Sequence, residues 1–254
     1  MLDRINIGEI IAIAKEAGHA IMEVYEKDFI VEFKADQSPL TEADKKAHDI
    51  ITKGIEALGL GLPILSEEGR EIPYEERKTW EYFWMVDPLD GTKEFIKKNG
   101  EFTVNIALIH DGTPVLGVVY APVLGEMYWA KQGFGAYKNG EKLPLFKTDT
   151  SKPLRIVASK SHLSAETKAY IDELSKTAGS IECISRGSSL KLCMVAEGSA
   201  DIYPRLGPTM EWDTAAADAI VKESGKSVIE FRNGYPIFYN KQNLLNPSFI
   251  VKKT

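Results

Sequence analysis

The 254-residue chain is 44% hydrophobic and 27% charged with a formal net charge of −6, the profile of one large globular domain or two closely packed halves. Its acidic balance, without a long basic block, argues against a nucleic-acid polymer as partner. No apolar run approaches the ~20 residues that span a bilayer, no basic-then-apolar leader opens the sequence, and Cys183 and Cys193 are too few for a disulfide framework and suit a reducing compartment.

Ile10, Ile11, Ala14, Ala17, Ile21 and Tyr25 recur at helical spacing and predict an amphipathic helix over about 6–26. Thr41, with Asp44 three residues on, predicts the N-cap of a second helix over about 41–58. Pro63–Ser66 reads as a short strand leading into Glu67-Glu68-Gly69, and Tyr82–Val86 as a buried strand. Phe102–Leu108 alternates as a strand does, and Asp111-Gly112 marks a hairpin turn. Val115–Tyr120, Glu126–Ala130 and Gly135–Tyr137 continue an antiparallel meander, with Asn139-Gly140 as another tight turn.

Near Lys147–Pro153 the periodicity stops, dividing an N-terminal α+β half (1–150) from a C-terminal α/β half (151–254). Strands at Arg155–Ser159, Ile181–Ser185 and Ala200–Tyr203 then alternate with helices at Ala165–Ala178, Ser189–Glu197 and Asp213–Ser224, the last ended by Gly225. Spacing alone predicts mixed α and β, without repeats or low-complexity segments.

The stretch Trp84-Met85-Val86-Asp87-Pro88-Leu89-Asp90-Gly91-Thr92-Lys93-Glu94-Phe95 carries the most chemistry. Pro88 fixes its own φ and holds Asp87 extended, and Gly91 permits a tight bend and a close backbone approach. Asp87 and Asp90 are thereby aimed at one point at the end of a strand, where α/β proteins place ligands. Converging carboxylates need a trapped proton or a cation. Hard oxygen ligands with no sulfur or imidazole nearby favour Mg2+ over Zn2+. Four further segments each have an ordinary local reading. Lys34–Asp44 is a polar loop and helix cap, Glu67 and Glu68 are turn residues, and Asp213 stands as an N-cap before Ala215-Ala216-Ala217. Ser159-Lys160-Ser161-His162 follows a strand, and Gly187-Ser188-Ser189-Leu190-Lys191 opens a helix, either as a plain cap or as an anion site.

Asp87–Phe95 resembles the metal motif of the inositol monophosphatase superfamily of Mg2+-dependent phosphatases. Asp90-Gly91-Thr92-Lys93-Glu94-Phe95 resembles its 3'(2'),5'-bisphosphate nucleotidase (CysQ-type) branch; inositol monophosphatases more often read Asp-Gly-Thr-Thr-Asn-Phe there. The Ser38-Pro39-Leu40-Thr41-Glu42-Ala43-Asp44 run is similar to that of family members. Trp212-Asp213-Thr214-Ala215-Ala216, more than 120 residues after the first motif, is similar to the superfamily's second signature. The resemblance implies an α/β (α+β layered) fold, a helix–sheet–helix–sheet–helix sandwich of the sugar-phosphatase type. It implies that Glu67, Asp87, Asp90, Asp213 and the Leu89 carbonyl hold two or three Mg2+ ions, and that Thr92 and Asp44 orient the attacking water. It places the Gly91 and Thr92 N–H groups on the phosphate and Ser159, His162, Gly187 and Lys191 on the nucleotide. Glu67, Leu89, Asp90 and Asp213 then face substrate as well as metal, and Arg205 joins them by its charge and its place beside Pro204.

The implied reaction removes the 3'-phosphate of adenosine 3',5'-bisphosphate, and of 3'-phosphoadenylyl sulfate, by attack of a metal-activated water, with no covalent phospho-enzyme. From adenosine 3',5'-bisphosphate the products are AMP and phosphate. The alternatives are an inositol or sugar-phosphate monophosphatase on the same scaffold, and a non-catalytic protein that binds metal or phosphorylated ligands. A Ca2+ loop packs its acids into one short segment, whereas these span about 170 residues; every expected metal ligand and the water-orienting pair are present, which favours the enzyme. The expected partner is a small nucleotide bisphosphate. The chain is expected to be a lithium-sensitive monomer or homodimer, cytoplasmic and at most peripheral to the inner membrane.

Overall fold

Asn6 opens helix α1 (Ile7–Tyr25) by accepting the Gly8 N–H at 3.0 Å, the N-cap geometry expected of Asn. Helix α2 (Glu42–Ala57) opens on a capping box: Thr41 Oγ1 accepts the Ala43 N–H, while Asp44 Oδ2 accepts the Thr41 N–H at 2.7 Å. The computed structural model describes residues 1–27, 29–33, 39–147, 153–159 and 164–253. A ribbon of β1 (Val31–Phe33) and β2 (Pro39–Thr41) stands before α2.

A seven-stranded sheet follows, in the order β3 (Ile64–Ser66), β4 (Tyr82–Asp90), β5 (Thr103–His110), β6 (Thr113–Ala121), β7 (Glu126–Lys131), β8 (Gly135–Lys138) and β9 (Glu141–Lys142). Only β3 and β4 pair in parallel; the other pairs are antiparallel. Short helices α3 (Tyr74–Arg77) and α4 (Thr92–Ile96) flank β4. The second sheet is built from β10 (Leu154–Ala158), β11 (Ile181–Ser185), β12 (Ile202–Arg205), β13 (Lys226–Glu230) and β14 (Phe249–Lys253), in the order β11-β10-β12-β14-β13. Its helices are α5 (Ala165–Thr177), α6 (Leu190–Glu197) and α7 (Ala215–Glu223). The polar division expected near residue 150 falls largely outside the described residues.

Strand β4 shows how the layers are sorted. Trp84 and Val86 join the core under α1 and α2, while Phe83 and Met85 join the core shared by α6, α7 and the second sheet. The next inward position after Met85 is Asp87, so the two-residue period of a strand delivers that carboxylate to the edge of the inter-sheet layer. The result is the helix–sheet–helix–sheet–helix sandwich. Helices α6 and α7 fill the middle, with α1 and α2 on one outside and α5 against β12.

Ala215, Ala216 and Ala217 are all buried where α7 crosses β6. At Gly117 in β6, a Cβ would stand 2.0 Å from the Ala216 carbonyl oxygen. Small residues on both elements thus permit backbone-to-backbone packing.

Three expectations on the elements are corrected. Helix α7 begins at Ala215, because Glu211–Asp213 forms a separate 3₁₀ turn. Strand β12 runs to Arg205 through Pro204, which lacks a ladder donor; its pairing with β10 is confined to Ile156↔Ile202, so no N–H is needed on that side. Strands β13 and β14 were not expected, since their two-residue period is short and flanked by charge. No described helix is long and apolar enough to cross a membrane.

Gly117→Ala should lower stability by about 1–3 kcal/mol, the usual cost of overpacking a filled core, because the obstacle is backbone that cannot rotate away. Denaturant unfolding checks this; a midpoint unchanged from the parent would mean that α7 can retreat without cost.

Candidate active site

The metal-motif loop is shaped by a bulge. Asp87 stands opposite Asn105 and Asp90 opposite Thr103, with a register shift between them, so β4 carries one more residue than β5 over that interval. The Leu89 N–H turns back to Asp87 Oδ1 at 3.0 Å. Gly91 then takes a φ of 94°, which only glycine adopts cheaply, and α4 starts at Thr92.

Three acids from distant segments meet here. Glu67, Asp87 and Asp213 each bring a carboxylate oxygen within 4.8 Å of the others. Glu67 directly follows β3, its N–H held by the Val86 carbonyl at 3.1 Å. Asp213 closes the 3₁₀ turn, with Oδ2 accepting the Met210 N–H at 2.9 Å. That turn is held in turn by the buried Glu211 carboxylate, which accepts the Asn240 N–H at 2.6 Å, and by Asn246 Nδ2, which donates to the Met210 carbonyl at 2.7 Å. Asp90 lines the same cleft, its Oδ2 accepting the Ser189 N–H at 2.5 Å; it lies outside the 4.8 Å cluster.

The electrostatics of this group are those of a cation site. Burial, then repulsion from Glu67, Asp90 and Asp213, pushes the Asp87 carboxyl well above the usual range. Burial and then Asp90 do the same to Asp213. Asp90 is pushed up to about 6 by burial, against the pull of Lys191 and the Ser189 N–H. A divalent cation among these oxygens would replace the trapped protons, and the all-oxygen donor set fits a hard ion.

Asp44 and Thr92 meet as expected. Asp44 is buried, with Oδ2 accepting both the N–H and the hydroxyl of Thr41 at 2.7 and 2.6 Å. Thr92 Oγ1 lies 3.3 Å from Asp44 Oδ1 and 3.3 Å from the Leu89 carbonyl, so its one proton reaches either acceptor. Burial, with repulsion from Glu67, raises the proton affinity of Asp44.

The opposite wall comes from the second sheet. Strand β10 pairs in parallel with β11 on one side and β12 on the other, a topological switch point. Ser159, Gly187 and Arg205 stand at or just after the carboxyl ends of those three strands and line the cleft, with Lys191 from α6. The Lys191 ammonium is buried, lies 2.6 Å from the Ser188 carbonyl and 5.6 Å from the Tyr203 ring centre, and is brought down to about 8 chiefly by that burial. His162 lies outside the described residues, as do Lys160 and Ser161.

The helix start read as either a plain cap or an anion site already gives its amides to the protein's own carboxylates. Gly187 N–H donates to Glu101 Oε2 at 2.9 Å, and Ser189 N–H to Asp90. A Cβ on Gly187 would meet the Glu101 carbonyl oxygen at 2.6 Å, so this glycine serves close packing between the halves. Sequence reasoning named Ser188 only as part of the Gly187–Lys191 helix start and passed over Tyr203; both line the cleft, and the buried Ser188 Oγ has no partner among the described residues. Ser188 sits at a φ of 45°, a strained conformation common at functional sites.

Carboxylates whose folded-state proton affinity is raised lose stability as pH rises through their folded pKa. The metal-free protein should therefore be less stable at pH 7.5 than Asp213→Asn, which removes one charge and keeps the Met210 contact. A chain of this size gains about 2–4 °C in Tm per kcal/mol relieved. The gap should close on acidification toward pH 5, and Mg2+ should raise the parent Tm but not that of the variant. Thermal denaturation checks all three signs; a variant less stable than the metal-free parent at pH 7.5 would refute the repulsion.

A sequence model of the inositol monophosphatase family matches residues 6–253. The curated 3'(2'),5'-bisphosphate nucleotidase CysQ of Escherichia coli strain K12 is 48% identical over 250 residues, covering 96% of this chain and 98% of the relative. Its counterpart from Shigella flexneri is 46% identical over 248 residues, with the same coverage. Among solved structures, CysQ from Bacteroides thetaiotaomicron superposes with a TM-score of 0.88 at 47% identity, covering 96% of each chain. The suhB protein of Bartonella henselae superposes with a TM-score of 0.81 at 27% identity, covering 97% of this chain and 93% of its own. With an acid cluster built from both signature motifs and likeness over almost the full length, the chain belongs to the inositol monophosphatase family.

Proposed function

We propose that the chain is a 3'(2'),5'-bisphosphate nucleotidase that removes the 3'-phosphate of adenosine 3',5'-bisphosphate, and of 3'-phosphoadenylyl sulfate, with Mg2+ as its metal. The observation that carries this reading is one cleft lined by both signs of charge. Glu67, Asp87 and Asp213 converge there, and Lys191 and Arg205 line the same cleft. The relatives named for this activity support the choice of substrate.

Glu67, Asp87, Asp90, Asp213 and the Leu89 carbonyl are the proposed ligands. The chemistry supplied by two or three divalent ions, when bound, is acidification of a water and neutralisation of phosphoryl charge. The chain does the rest. Thr92 Oγ1 can accept a proton from an attacking water while its own hydroxyl proton passes to Asp44 Oδ1. Asp44, made more basic by burial, suits that transfer, and its Thr41 contacts fix its orientation. Gly91 and Thr92, at the start of α4, are proposed to hold phosphate oxygens through their N–H groups. Lys191, cationic at neutral pH, and Arg205 face the rest of the nucleotide, with Ser159, Gly187 and His162 completing that side. The chain's net negative charge makes these local positive groups necessary for admitting an anion.

A phosphate-release assay with Mg2+ tests the substrate. Adenosine 3',5'-bisphosphate should be cleaved faster than inositol 1-phosphate or fructose 1,6-bisphosphate; the reverse order would reassign the enzyme to sugar phosphates. Thr92→Val should lower kcat about 10²–10⁴-fold, the usual worth of positioned acid–base chemistry, while KM moves only a few-fold. A large rise in KM at unchanged kcat would make Thr92 a binding residue. Lys191→Ala should cost activity on the bisphosphate and spare a simple aryl phosphate. Because the ammonium is buried, added salt should restore little of the loss; equal loss on both substrates would move Lys191 from the nucleotide to the fold.

A further inference from the structure

Ser189 belongs to the second half of the chain, yet it touches both strands of the metal-motif loop. Its N–H donates to Asp90 Oδ2 at 2.5 Å, its hydroxyl donates to Asn105 Oδ1 at 2.9 Å, and the same oxygen lies 2.8 Å from Thr103 Oγ1. Thr103 and Asn105 are the β5 residues that stand opposite Asp90 and Asp87. One hydroxyl therefore holds both residues that bracket the bulge, and the bulge sets where the two aspartates point.

Proton accounting gives the contacts a direction. The Ser189 hydroxyl has one proton, which goes to the Asn105 carbonyl oxygen, so Thr103 donates to Ser189 at 2.8 Å rather than to Asp90 Oδ2, which lies 3.5 Å from it. The Asn105 amide is thereby turned with Nδ2 toward Asp90 Oδ2, at 3.4 Å. The loop of hydrogen bonds closes on Asp90 from both sides. Thr103, Asn105 and Ser189 are all essentially inaccessible to solvent, so a lost partner is not replaced by water and costs the full desolvation penalty. Ser189 is also the N-cap residue of α6, two residues before Lys191.

We propose that Ser189 is a positioning residue that fixes the bulge and Asp90 for cation binding. The inference rests on the functional reading above.

Titration calorimetry with Mn2+ tests this on parent and Ser189→Ala protein. The variant keeps the N–H and deletes the hydroxyl. Its Kd for Mn2+ should rise about 10-fold, the scale on which partners of ligating groups act. Thr103→Val keeps the shape, removes the donor to Ser189 and should raise the Kd by less; it carries the test if Ser189→Ala does not fold. Folded variants that bind Mn2+ within twofold of the parent overturn the positioning role. A parent that binds Mn2+ but releases no phosphate from adenosine 3',5'-bisphosphate fails the functional reading instead, and that is seen before any variant is made.

Discussion

Packing acids together inside a protein is unfavourable, and this molecule does it on purpose. Four carboxylates of the group each have one oxygen committed to a backbone amide: Asp44 to Thr41, Asp87 to Leu89, Asp90 to Ser189 and Asp213 to Met210. Amides cannot swing away as side chains do, so the acids cannot relieve their repulsion by turning outward. The remaining repulsion is stored as affinity for positive charge. Instability of the metal-free state and readiness to bind a cation are two views of one free energy.

The rest of the fold serves to bring those amides together. Asp44 is placed by the start of α2, Asp87 by the inward face of β4, Asp90 by the bulge and by α6, and Asp213 by a turn that Glu211 and Asn246 brace from below. Arg77 adds a strut at the same end, donating to the carbonyls of Lys241 and Gln242 at 2.6 and 2.8 Å. The second sheet adds the opposite electrostatic sign. Where β12 parts from β10, the gap opens toward Ser159 and Arg205, which line the cleft.

Much of this was legible where the signal is local. The stripe from Ile10 to Tyr25 is one turn-by-turn pattern, and Thr41 and Asp44 announce a capping box within four residues. The alternation of Phe102–Leu108 likewise reports a strand, and the structure packs it on both faces. The metal motif was readable because Asp-Pro and Asp-Gly constrain the backbone whatever surrounds them. The convergence of Glu67 on Asp87 and Asp213 is not local, and only the family resemblance anticipated it. Ser189 illustrates what no window could show. Its partners lie 84 and 86 residues away for the side chain and 99 for the backbone, and its neighbours Gly187 and Ser188 read equally well as a plain helix start. Strands β13 and β14 were missed for a related reason, since the pairing of β14 with β12 on one side and β13 on the other supplies the order that their short sequences do not.

The contact between Gly117 and Ala216 gives the thickness of the sandwich a chemical meaning. Asp87 belongs to the sheet layer and Asp213 leads into the helix layer, so the gap between backbone surfaces is also the gap between two carboxylates. Side-chain volume deep in the packing thus helps set how far apart two charges are held.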